Sequence, residues 1–389
     1  MESLQNLNLS GCSKLKKFPE VQGAMDNLSE LSLKVTAIKG LPLSIEYLNG
    51  LALLNLGECK SLDSLPSFIF KLKSLKTLIL SNCSRLKKLP EIGENMESLK
   101  ELFLDDTGLR ELPSSIEHLN GLVLLKLKNC KKLASLPESI CKLTSLQTLT
   151  LSGCSELKKL PDDMGSLQCL VKLKANGTGI QEVPTSITLL TKLEVLSLAG
   201  CKGGESKSRN LALCLRSSPT KGLRPSFLSV LCPLKKLNLS DCNLLEGALP
   251  SDLSSLSWLE CLDLSRNSFI TVPSLSRLPR LKRLILEHCK SLRSLPELPS
   301  NIEYLLANDY TSLETFSNPS SGYACGEFKI FNFEFSNCFR LGENEQSDTV
   351  EAILRGIQLV ASMPKFGDPS YSIFRYPVCY YLFAFAKNS

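Results

Sequence analysis

The stretch LVLLKLKNCKKLASLP, residues 122–137, contains the pattern that the rest of the chain repeats. Its leucines are Leu122, Leu125, Leu127, Leu133 and Leu136, and Pro137 closes the unit. The central leucines alternate with Lys126 and Lys128, which is typical of a short strand with one buried and one exposed face. Cys130 follows where the chain turns inward, a position that suits a small side chain able to lie in an apolar interior. One such unit cannot bury its own leucines, so the pattern predicts a stack of units.

The unit recurs thirteen times, and most starting residues are 23 or 24 positions apart. The starts are Leu4, Leu28, Leu51, Leu75, Leu99, Leu122, Leu146, Leu170, Leu193, Leu234, Leu259, Leu281 and a degenerate one at Ile302. Over the first nine starts, every third one comes 71 residues later, which indicates that a block of three repeats was duplicated. The spacing is the signature of a leucine-rich repeat. We therefore predict an α/β leucine-rich-repeat solenoid: a curved parallel sheet, short helical or irregular convex segments, and an incomplete β-rich C-terminal segment.

The period is interrupted once and ends well before the last residue. The predicted segments are repeats 1–9 at 1–201, a surface loop at 202–233, repeats 10–13 at 234–317, a linker at 318–327 and a truncated post-repeat segment at 328–389. The loop is assigned because Gly, Ser, Lys and Arg dominate its first half. It contains the run GGESKS, but a phosphate-binding loop requires a glycine directly before the lysine, and here that residue is Ser206.

Cysteine usage indicates the redox compartment. The chain has 16 cysteines, of which eight occupy the position of Cys130 in their own repeats, here called the slot. They are Cys12, Cys59, Cys83, Cys130, Cys154, Cys201, Cys242 and Cys289. Three shorter repeats have Thr36, Thr107 or Thr178 in the slot. Because the slot cysteines recur with the repeat, we interpret them as buried, reduced thiols rather than as a disulfide scaffold.

The ends and the charge of the chain also narrow its class. The opening residues MESLQNLNLS lack the basic start and apolar run of a secretory leader, and no apolar run reaches the roughly 20 residues of a membrane helix. The net charge of +6 is too small to indicate nucleic-acid binding. We expect a cytoplasmic location, with the nucleus as an alternative, and contact with neither membranes nor nucleic acid.

Four features together resemble the repeat region of plant intracellular immune receptors. They are the slot cysteine, the recurrent Leu-Pro, convex segments such as LPSSIEHLNGL at 112–122, and the threonine variant. The resemblance is to the TIR-NB-LRR class, which has a Toll/interleukin-receptor-like domain and a nucleotide-binding domain before its repeats. FEFSNCFRL at 333–341 resembles the start of that class's post-repeat jelly-roll domain. The resemblance implies a truncated receptor whose repeats bind a pathogen effector or hold the receptor inactive through its nucleotide-binding or signalling domains.

The sequence offers little for catalysis. His118 and His288 lie in different types of segment, and we expect His118 to be solvated on the convex side. A metal site would need further thiolates or imidazoles converging on one of them. No Ser-His-acid order or pair of carboxylates is evident. We therefore expect neither an enzyme nor a cofactor or metal site.

The exposed strand positions of a repeat stack form columns that can bind a protein. The candidate protein-binding residues on this concave face are Phe103, Asp105, Asp106, Lys126, Lys128, Lys172, Lys174, Arg266, Arg283 and Glu287, with Asp263 beside them. Their charges are close to balanced, which favours a mixed protein-binding surface over a phosphate-binding groove. Phe103 is the candidate anchor, because we expect it to be an exposed aromatic residue between acidic neighbours.

A second candidate surface lies between the slot and the closing residue of each repeat. These positions hold 15 basic and six acidic residues when the interrupted ninth repeat is left out, although the whole chain has a net charge of only +6. The basic lateral edge is represented by Lys16, Lys17, Lys87, Lys88, Lys131, Lys132, Lys158 and Lys159. We interpret it as either a solvated corner or a docking surface for an acidic partner.

An extracellular receptor-like or inhibitor-type repeat protein is the alternative. The repeats between Leu234 and Pro273 lean towards that class, and glycosylation sequons occur at Asn8, Asn27, Asn82, Asn176 and Asn238. Most of these asparagines fall on or beside the strand face, where a glycan would cover the binding surface. The sequence therefore favours an intracellular recognition module of plant defence.

Overall fold

The computed structural model describes residues 4–181, 183–201, 231, 233–309, 312, 315–316 and 332–334. The predicted loop at 202–233 lies outside the described residues except for Leu231 and Pro233. The predicted linker at 318–327 lies wholly outside them, and the predicted segment at 328–389 does so apart from one strand.

The chain forms a leucine-rich-repeat solenoid, as predicted, built on one long parallel sheet. Its strands are β1 (Asn6–Asn8), β2 (Glu30–Ser32), β3 (Leu53–Asn55), β4 (Thr77–Ile79), β5 (Glu101–Phe103), β6 (Leu124–Lys126), β7 (Thr148–Thr150), β8 (Lys172–Lys174), β9 (Val195–Ser197), β10 (Lys236–Asn238), β11 (Cys261–Asp263), β12 (Arg283–Ile285), β14 (Tyr304–Leu306) and β16 (Asn332–Glu334), paired in that order. A two-stranded sheet joins β13 (Ser294–Leu295) to β15 (Thr315–Phe316).

Each strand of repeats 1–12 has a leucine at its centre, and the register places these leucines side by side. Leu78 lies opposite Leu102, which in turn lies opposite Leu125. All three are fully buried. Burying one leucine side chain stabilises a protein by roughly 1.5–3 kcal/mol. The stack therefore gives each repeat the apolar contacts that a single repeat lacks.

The opposite side of the solenoid consists of short 3₁₀ helices. Their bounds are Leu43–Tyr47, Ser67–Lys71, Ser114–His118, Glu138–Lys142, Met164–Ser166 and Thr185–Leu189. All except Met164–Ser166 follow a proline, such as Pro137, whose φ of −68° fixes an extended entry. An isoleucine at the third position, such as Ile140, points into the core. The Leu-Pro and Ile positions of the sequence thus encode the convex segments.

The slot residues form a column of hydrogen bonds inside the solenoid. Seven slot thiols donate to the carbonyl oxygen of a strand-end residue in the preceding repeat at 3.0–3.4 Å. They belong to Cys59, Cys83, Cys130, Cys154, Cys201, Cys242 and Cys289, all fully buried. The prediction of burial is wrong for Cys12, which is exposed because its repeat carries β1, the outermost strand of the sheet.

Asn267 occupies the same slot in the repeat of β11. Its amide nitrogen donates to the carbonyl oxygens of Leu239 and Leu264, and its amide oxygen accepts the backbone N–H groups of Cys242 and Leu244. Asparagine, cysteine and threonine therefore serve one purpose in this column. Each donates a hydrogen bond to a buried backbone carbonyl group inside the solenoid.

The turn after each strand requires a left-handed residue. Thirteen consecutive repeats have φ between 52° and 81° there. The residues are Gly11, Val35, Glu58, Asn82, Asp106, Asn129, Gly153, Gly177, Gly200, Asp241, Arg266, His288 and Asp309. Glycine, asparagine and aspartate tolerate this conformation, whereas a β-branched residue is strained in it. Val35 is the only β-branched residue at these thirteen positions.

Candidate protein-binding surfaces

The concave face is defined here by the first and third residues of each strand, which point away from the buried central leucine. The parallel register aligns these residues across the sheet, so that Phe103 lies opposite Lys126 and Thr150 lies opposite Lys174. Neighbouring strands in a sheet are about 4.8 Å apart. Side chains from several repeats can therefore contact one ligand.

Phe103 and Lys126 contact each other on β5 and β6. The Lys126 ammonium nitrogen lies 4.9 Å from the centre of the Phe103 ring, within the range of a cation–π interaction. Phe103 is half-buried, so the expectation of a fully exposed aromatic anchor is wrong. The register explains the difference, because it places the lysine directly beside the ring. The pair forms a partly desolvated patch on the concave face at β5 and β6.

The two aspartates after β5 are engaged in the next turn of the solenoid. The Asp105 carboxylate accepts the backbone N–H of Lys128 at 2.8 Å, and the Asp106 carboxylate accepts the Asn129 amide at 3.1 Å. Burial raises the pKa of Asp105 above its ordinary value, although the Lys128 N–H and the Lys126 charge oppose the shift. Asp105 and Asp106 therefore already connect neighbouring repeats when no partner is bound.

Lys172 and Lys174 lie on β8, two strands beyond Lys126. Both side chains are exposed, and neither forms an ion pair or hydrogen bond with any residue in the described part of the chain. They belong to the same continuous face as Phe103 and Lys126. The structure thus brings these four candidate residues onto one side of the sheet.

The remaining candidates lie on or after β11 and β12. The Asp263 carboxylate accepts hydrogen bonds from the Asn238 amide and from Ser265. The Glu287 carboxylate accepts the Asn308 amide at 3.2 Å. Arg266 is exposed in its left-handed turn, and Arg283 lies with its guanidinium carbon 4.7 Å from the centre of the Tyr304 ring. Two strands, β9 and β10, separate this group from Lys172 and Lys174 on β8, so the candidates form two clusters along the face.

One concave residue that the sequence analysis missed is Lys236. It is 64 residues after Lys172 in the sequence, yet β10 pairs directly with β9, where Val195 lies opposite Lys236. The residues between the two repeats hide this neighbourhood in the sequence. The pattern KKLNLS at 235–240 was the available signal, because it matches the strand positions of the other repeats.

The basic lateral edge is exposed along its whole described length. All eight candidate lysines are exposed, and none forms an ion pair with a described residue. Backbone bonds join the corners of successive repeats: Arg110 N–H donates to the carbonyl of Lys87 at 3.2 Å, and Gln181 N–H donates to that of Lys158 at 3.0 Å. The lysine pairs at 16–17, 87–88 and 158–159 are 71 residues apart and so recur every third repeat. By contrast, Lys131 and Lys132 directly follow the slot residue Cys130 and are therefore closer in sequence to their strand than the other lysine pairs are to theirs.

The histidines differ from each other in surroundings. The expectation that His118 is solvated is wrong, because its ring is half-buried and Nδ1 lies 2.6 Å from the carbonyl oxygen of Ile92 in the preceding repeat. His288 Nδ1 lies 2.8 Å from an Asp309 carboxylate oxygen. Within the described ranges, no group of three or more His, Cys, Asp or Glu residues could hold a metal ion.

The described cysteines are all free thiols. They are Cys12, Cys59, Cys83, Cys130, Cys141, Cys154, Cys169, Cys201, Cys242, Cys261 and Cys289. Burial raises the pKa of Cys83 and of Cys242 to about 12, and that of Cys289 to about 11. These thiols are therefore protonated and unreactive at neutral pH.

Two further observations concern the extracellular alternative. Among the described residues, no helix is both long and apolar enough to cross a membrane. Two sequon asparagines are structural: the Asn176 amide oxygen accepts Ser197 and Ala199, and the Asn238 amide donates to Asp263 at 2.9 Å. Both side chains lie on or beside the concave face, where a glycan would cover the neighbouring strand residues.

Comparison with known proteins identifies the family. The model of "disease resistance protein RPS4B-like, leucine-rich repeats" matches residues 1–77 and 71–160, and a general leucine-rich-repeat model matches 233–256. The disease resistance-like protein DSC1 of Arabidopsis thaliana is 40% identical over 263 residues, 67% of this chain and 20% of that protein. The chain is a leucine-rich-repeat module of the plant disease-resistance family. This confirms the resemblance found in the sequence.

Further comparisons support the same family assignment for this disease-resistance module. A probable disease resistance protein of Arabidopsis thaliana, At4g19520, is 33% identical over 390 aligned residues, which cover 90% of the module and 21% of that relative. The module thus spans about one fifth of the length of these relatives. A leucine-rich-repeat protein of Leptospira interrogans has the same fold, with a TM-score of 0.63 and 22% identity over 94% of the module and 96% of that chain. The relatives do not favour the extracellular alternative.

Proposed function

We propose that this module recognises a protein through its concave face, and that the partner is a pathogen effector. The supporting observation is the continuous row of outward-facing strand residues, in which Phe103, Lys126, Lys172 and Lys174 lie on one side of a single sheet. A rigid sheet holds these side chains in fixed relative positions, which lowers the entropy lost on binding. The names of the relatives are those of disease-resistance proteins, and effector recognition is the role proposed here for the repeats.

We further propose that the basic lateral edge contacts the nucleotide-binding or signalling domains of the full receptor. Support comes from its exposed lysine pairs at 16–17, 87–88 and 158–159, which lack acidic partners within the described repeats. An unpaired cationic edge attracts an acidic surface and accelerates association. In this arrangement the edge restrains the receptor while the concave face stays available to the effector.

The module acts by binding rather than by catalysis in this proposal. Both described histidines and several carboxylates are engaged in contacts between repeats, such as His118 with Ile92, His288 with Asp309 and Asp263 with Asn238. The proposed location is the cytoplasm, with the nucleus as an alternative, and support comes from the eleven free described cysteines. Thiol titration of protein purified without reductant tests the location: 16 free thiols after denaturation are expected, and several disulfides would contradict it.

The concave proposal is tested with two charge-reversed double variants. Lys172→Glu with Lys174→Glu changes the concave face, and Lys158→Glu with Lys159→Glu changes the lateral edge by the same charge. Binding of each variant to a panel of purified pathogen effectors is measured by biolayer interferometry. An effector bound by the wild type should lose affinity roughly tenfold or more in the concave variant alone.

Equal loss in both variants would indicate general charge attraction and contradict recognition through the concave face. Lysine-directed cross-linking provides an independent readout, because cross-links from the effector should include Lys126, Lys172 or Lys174. Exclusive cross-links to the lateral edge would also contradict the proposal. Circular dichroism of each variant checks that the solenoid remains folded.

A further inference from the structure

Two neighbouring columns of side chains differ sharply in charge over the C-terminal half of the solenoid. The residues just before strands β9, β10, β11, β12 and β14 alternate strictly in sign. They are Glu194, Lys235, Glu260, Lys282 and Glu303. Lys235 pairs with Glu194 at 2.8 Å, and Lys282 pairs with Glu303 at 3.2 Å. The two lysines of this outer column are therefore paired with two of its three glutamates, and the column has a net charge of −1.

The adjacent column consists of the first strand residues, and between β8 and β14 it contains no acid. From β8 to β14 it reads Lys172, Val195, Lys236, Cys261, Arg283 and Tyr304. Every second member is a cation, and every member between them is uncharged. The three cations are exposed, while Val195, Cys261 and Tyr304 are half-buried. We call Lys172, Lys236 and Arg283 the cationic row.

The cationic row has no carboxylate of its own. None of the three side chains forms an ion pair with another residue in the described part of the solenoid. The carboxylates on β11 and after β12 are hydrogen-bonded to other residues: Asp263 accepts Asn238 and Ser265, and Glu287 accepts Asn308. Arg283 is held over Tyr304 by a cation–π contact, which orders its guanidinium group before any ligand binds.

The distance between the cations of the row indicates which kind of ligand can bind to it. Strands lie about 4.8 Å apart, so cations on alternate strands are about 9.6 Å apart. A peptide in the polyproline II conformation has three residues per turn and advances about 3.1 Å per residue, so every third side chain points the same way and recurs at about 9.3 Å. A nucleic-acid strand in a duplex carries a charge about every 3.4 Å, which is much denser than the row. The half-buried uncharged residues between the cations suit apolar side chains of a peptide.

We infer that the cationic row binds an acidic peptide segment of a partner protein in the polyproline II conformation, with a carboxylate at every third residue and apolar side chains between. The segment runs across the strands from β8 to β12. Each carboxylate meets one of Lys172, Lys236 and Arg283, and the residues between them contact Val195 and Cys261. This inference rests on the proposed function, because it names the chemistry of the partner on the same concave face.

The test uses the whole chain and three fluorescein-labelled probes in anisotropy titrations. The first probe is the capped peptide EVSEVSEVS, whose glutamates match the row. The second is EEEVSVSVS, which has the same composition with its glutamates clustered. The third is a nine-nucleotide oligothymidylate. Wild-type protein should bind the first peptide several-fold tighter than the second, with weaker binding at higher salt.

Two triple variants locate the site. Lys172→Gln, Lys236→Gln and Arg283→Gln remove the row, whereas Lys87→Gln, Lys158→Gln and Lys159→Gln remove the same charge from the lateral edge. Each exposed ion pair contributes roughly two- to fivefold to affinity, so loss of the row should weaken peptide binding about tenfold or more. The lateral variant should stay within about twofold of the wild type. All six positions are exposed, and circular dichroism checks the fold of both variants.

Three outcomes would overturn the inference. The first is equal affinity for both peptides, which includes no binding of either. The second is an equal loss of peptide affinity in the two triple variants. The third is that the oligothymidylate binds more tightly than the peptide and that its binding depends on the row. These outcomes leave effector binding through Lys172 and Lys174 separately testable in whole effectors. Conversely, loss of effector binding with intact peptide binding would contradict only the proposed function.

Discussion

Thr107 and Cys130, which occupy the slots of successive repeats, share one buried acceptor. The Thr107 hydroxyl donates to the carbonyl oxygen of Leu104 at 2.8 Å, and the Cys130 thiol reaches the same oxygen at 3.1 Å. Their own side chains lie 3.2 Å apart. The arrangement recurs at Thr36 with Cys59 and at Thr178 with Cys201. Two repeats are therefore joined through a carbonyl group that would otherwise lie unsatisfied in the core.

The shared acceptor predicts non-additive stability effects. Thr107→Val and Cys130→Ala should each lower the free energy of unfolding by about 1 kcal/mol, because the other donor still satisfies Leu104. The double variant should lose more than the sum, since a buried carbonyl without any donor costs roughly 1–3 kcal/mol. Urea denaturation of the four proteins measures the coupling. Additivity within about 0.3 kcal/mol would show that the oxygen is not shared in solution.

The strained turn after β2 predicts a stabilising substitution. Val35 has a φ of 59°, and its side chain points outward with 40% exposure. Val35→Asn should raise the free energy of unfolding by about 1 kcal/mol, because asparagine tolerates the left-handed region. The N–H of Val35, which donates to Gly57, remains in place.

The reciprocal change provides the control. Asn82 occupies the equivalent turn with a φ of 65°, so Asn82→Val should lower the free energy of unfolding by a similar amount. Thermal unfolding of both variants measures the effect. A fall in stability for Val35→Asn would mean that the valine side chain makes a compensating contact.

The buried thiols predict that stability falls at alkaline pH. The pKa of Cys83 is raised to about 12 in the folded protein, whereas an unfolded cysteine titrates near 8.5. Below about pH 8.5 both states keep the proton, so the contribution is constant. Between about 8.5 and 12 only the unfolded state loses it, which lowers the free energy of unfolding by about 1.4 kcal/mol per pH unit and thiol.

Urea denaturation at pH 8, 9 and 10 measures this dependence. Cys83→Ala should be less stable than the wild type at pH 8 and should show a shallower decline towards pH 10. The exposed Cys12 provides the matched control, and Cys12→Ala should leave the slope unchanged. Parallel curves for the wild type and Cys83→Ala would contradict the assignment of the slope to the buried thiol.

The lateral edge predicts salt-dependent association with a receptor domain. Charge reversal of Lys87, Lys88, Lys158 and Lys159 should weaken binding to the separately expressed nucleotide-binding region of the full receptor and flatten its salt dependence. The concave double variant Lys172→Glu with Lys174→Glu is the control and should bind normally. Isothermal titration at two salt concentrations measures both. Unchanged association of the edge variant would contradict the proposal.

Much of the fold follows from local sequence. The leucine spacing determines strands with one buried face, as at Leu125, because side chains alternate along a strand whatever lies beside it. The prolines and the third-position isoleucines determine the convex turns, and the slot residues determine which side chains bind the buried carbonyl groups. These features repeat with the period, so each repeat encodes its own conformation and its two interfaces.

Which outward-facing side chains lie next to each other was decided only by the tertiary structure. The sequence predicted that Phe103 is an exposed anchor, but the register places Lys126 beside its ring. The sequence also predicted that His118 is solvated, but its ring contacts the Ile92 carbonyl oxygen of the preceding repeat. Lys172 and Lys236 lie two strands apart because β9 pairs with β10 across the interruption of the period. The physical reason is that the leucine pattern determines which face of a strand is buried. Contacts between outward side chains depend on stacking, which joins residues that the sequence separates.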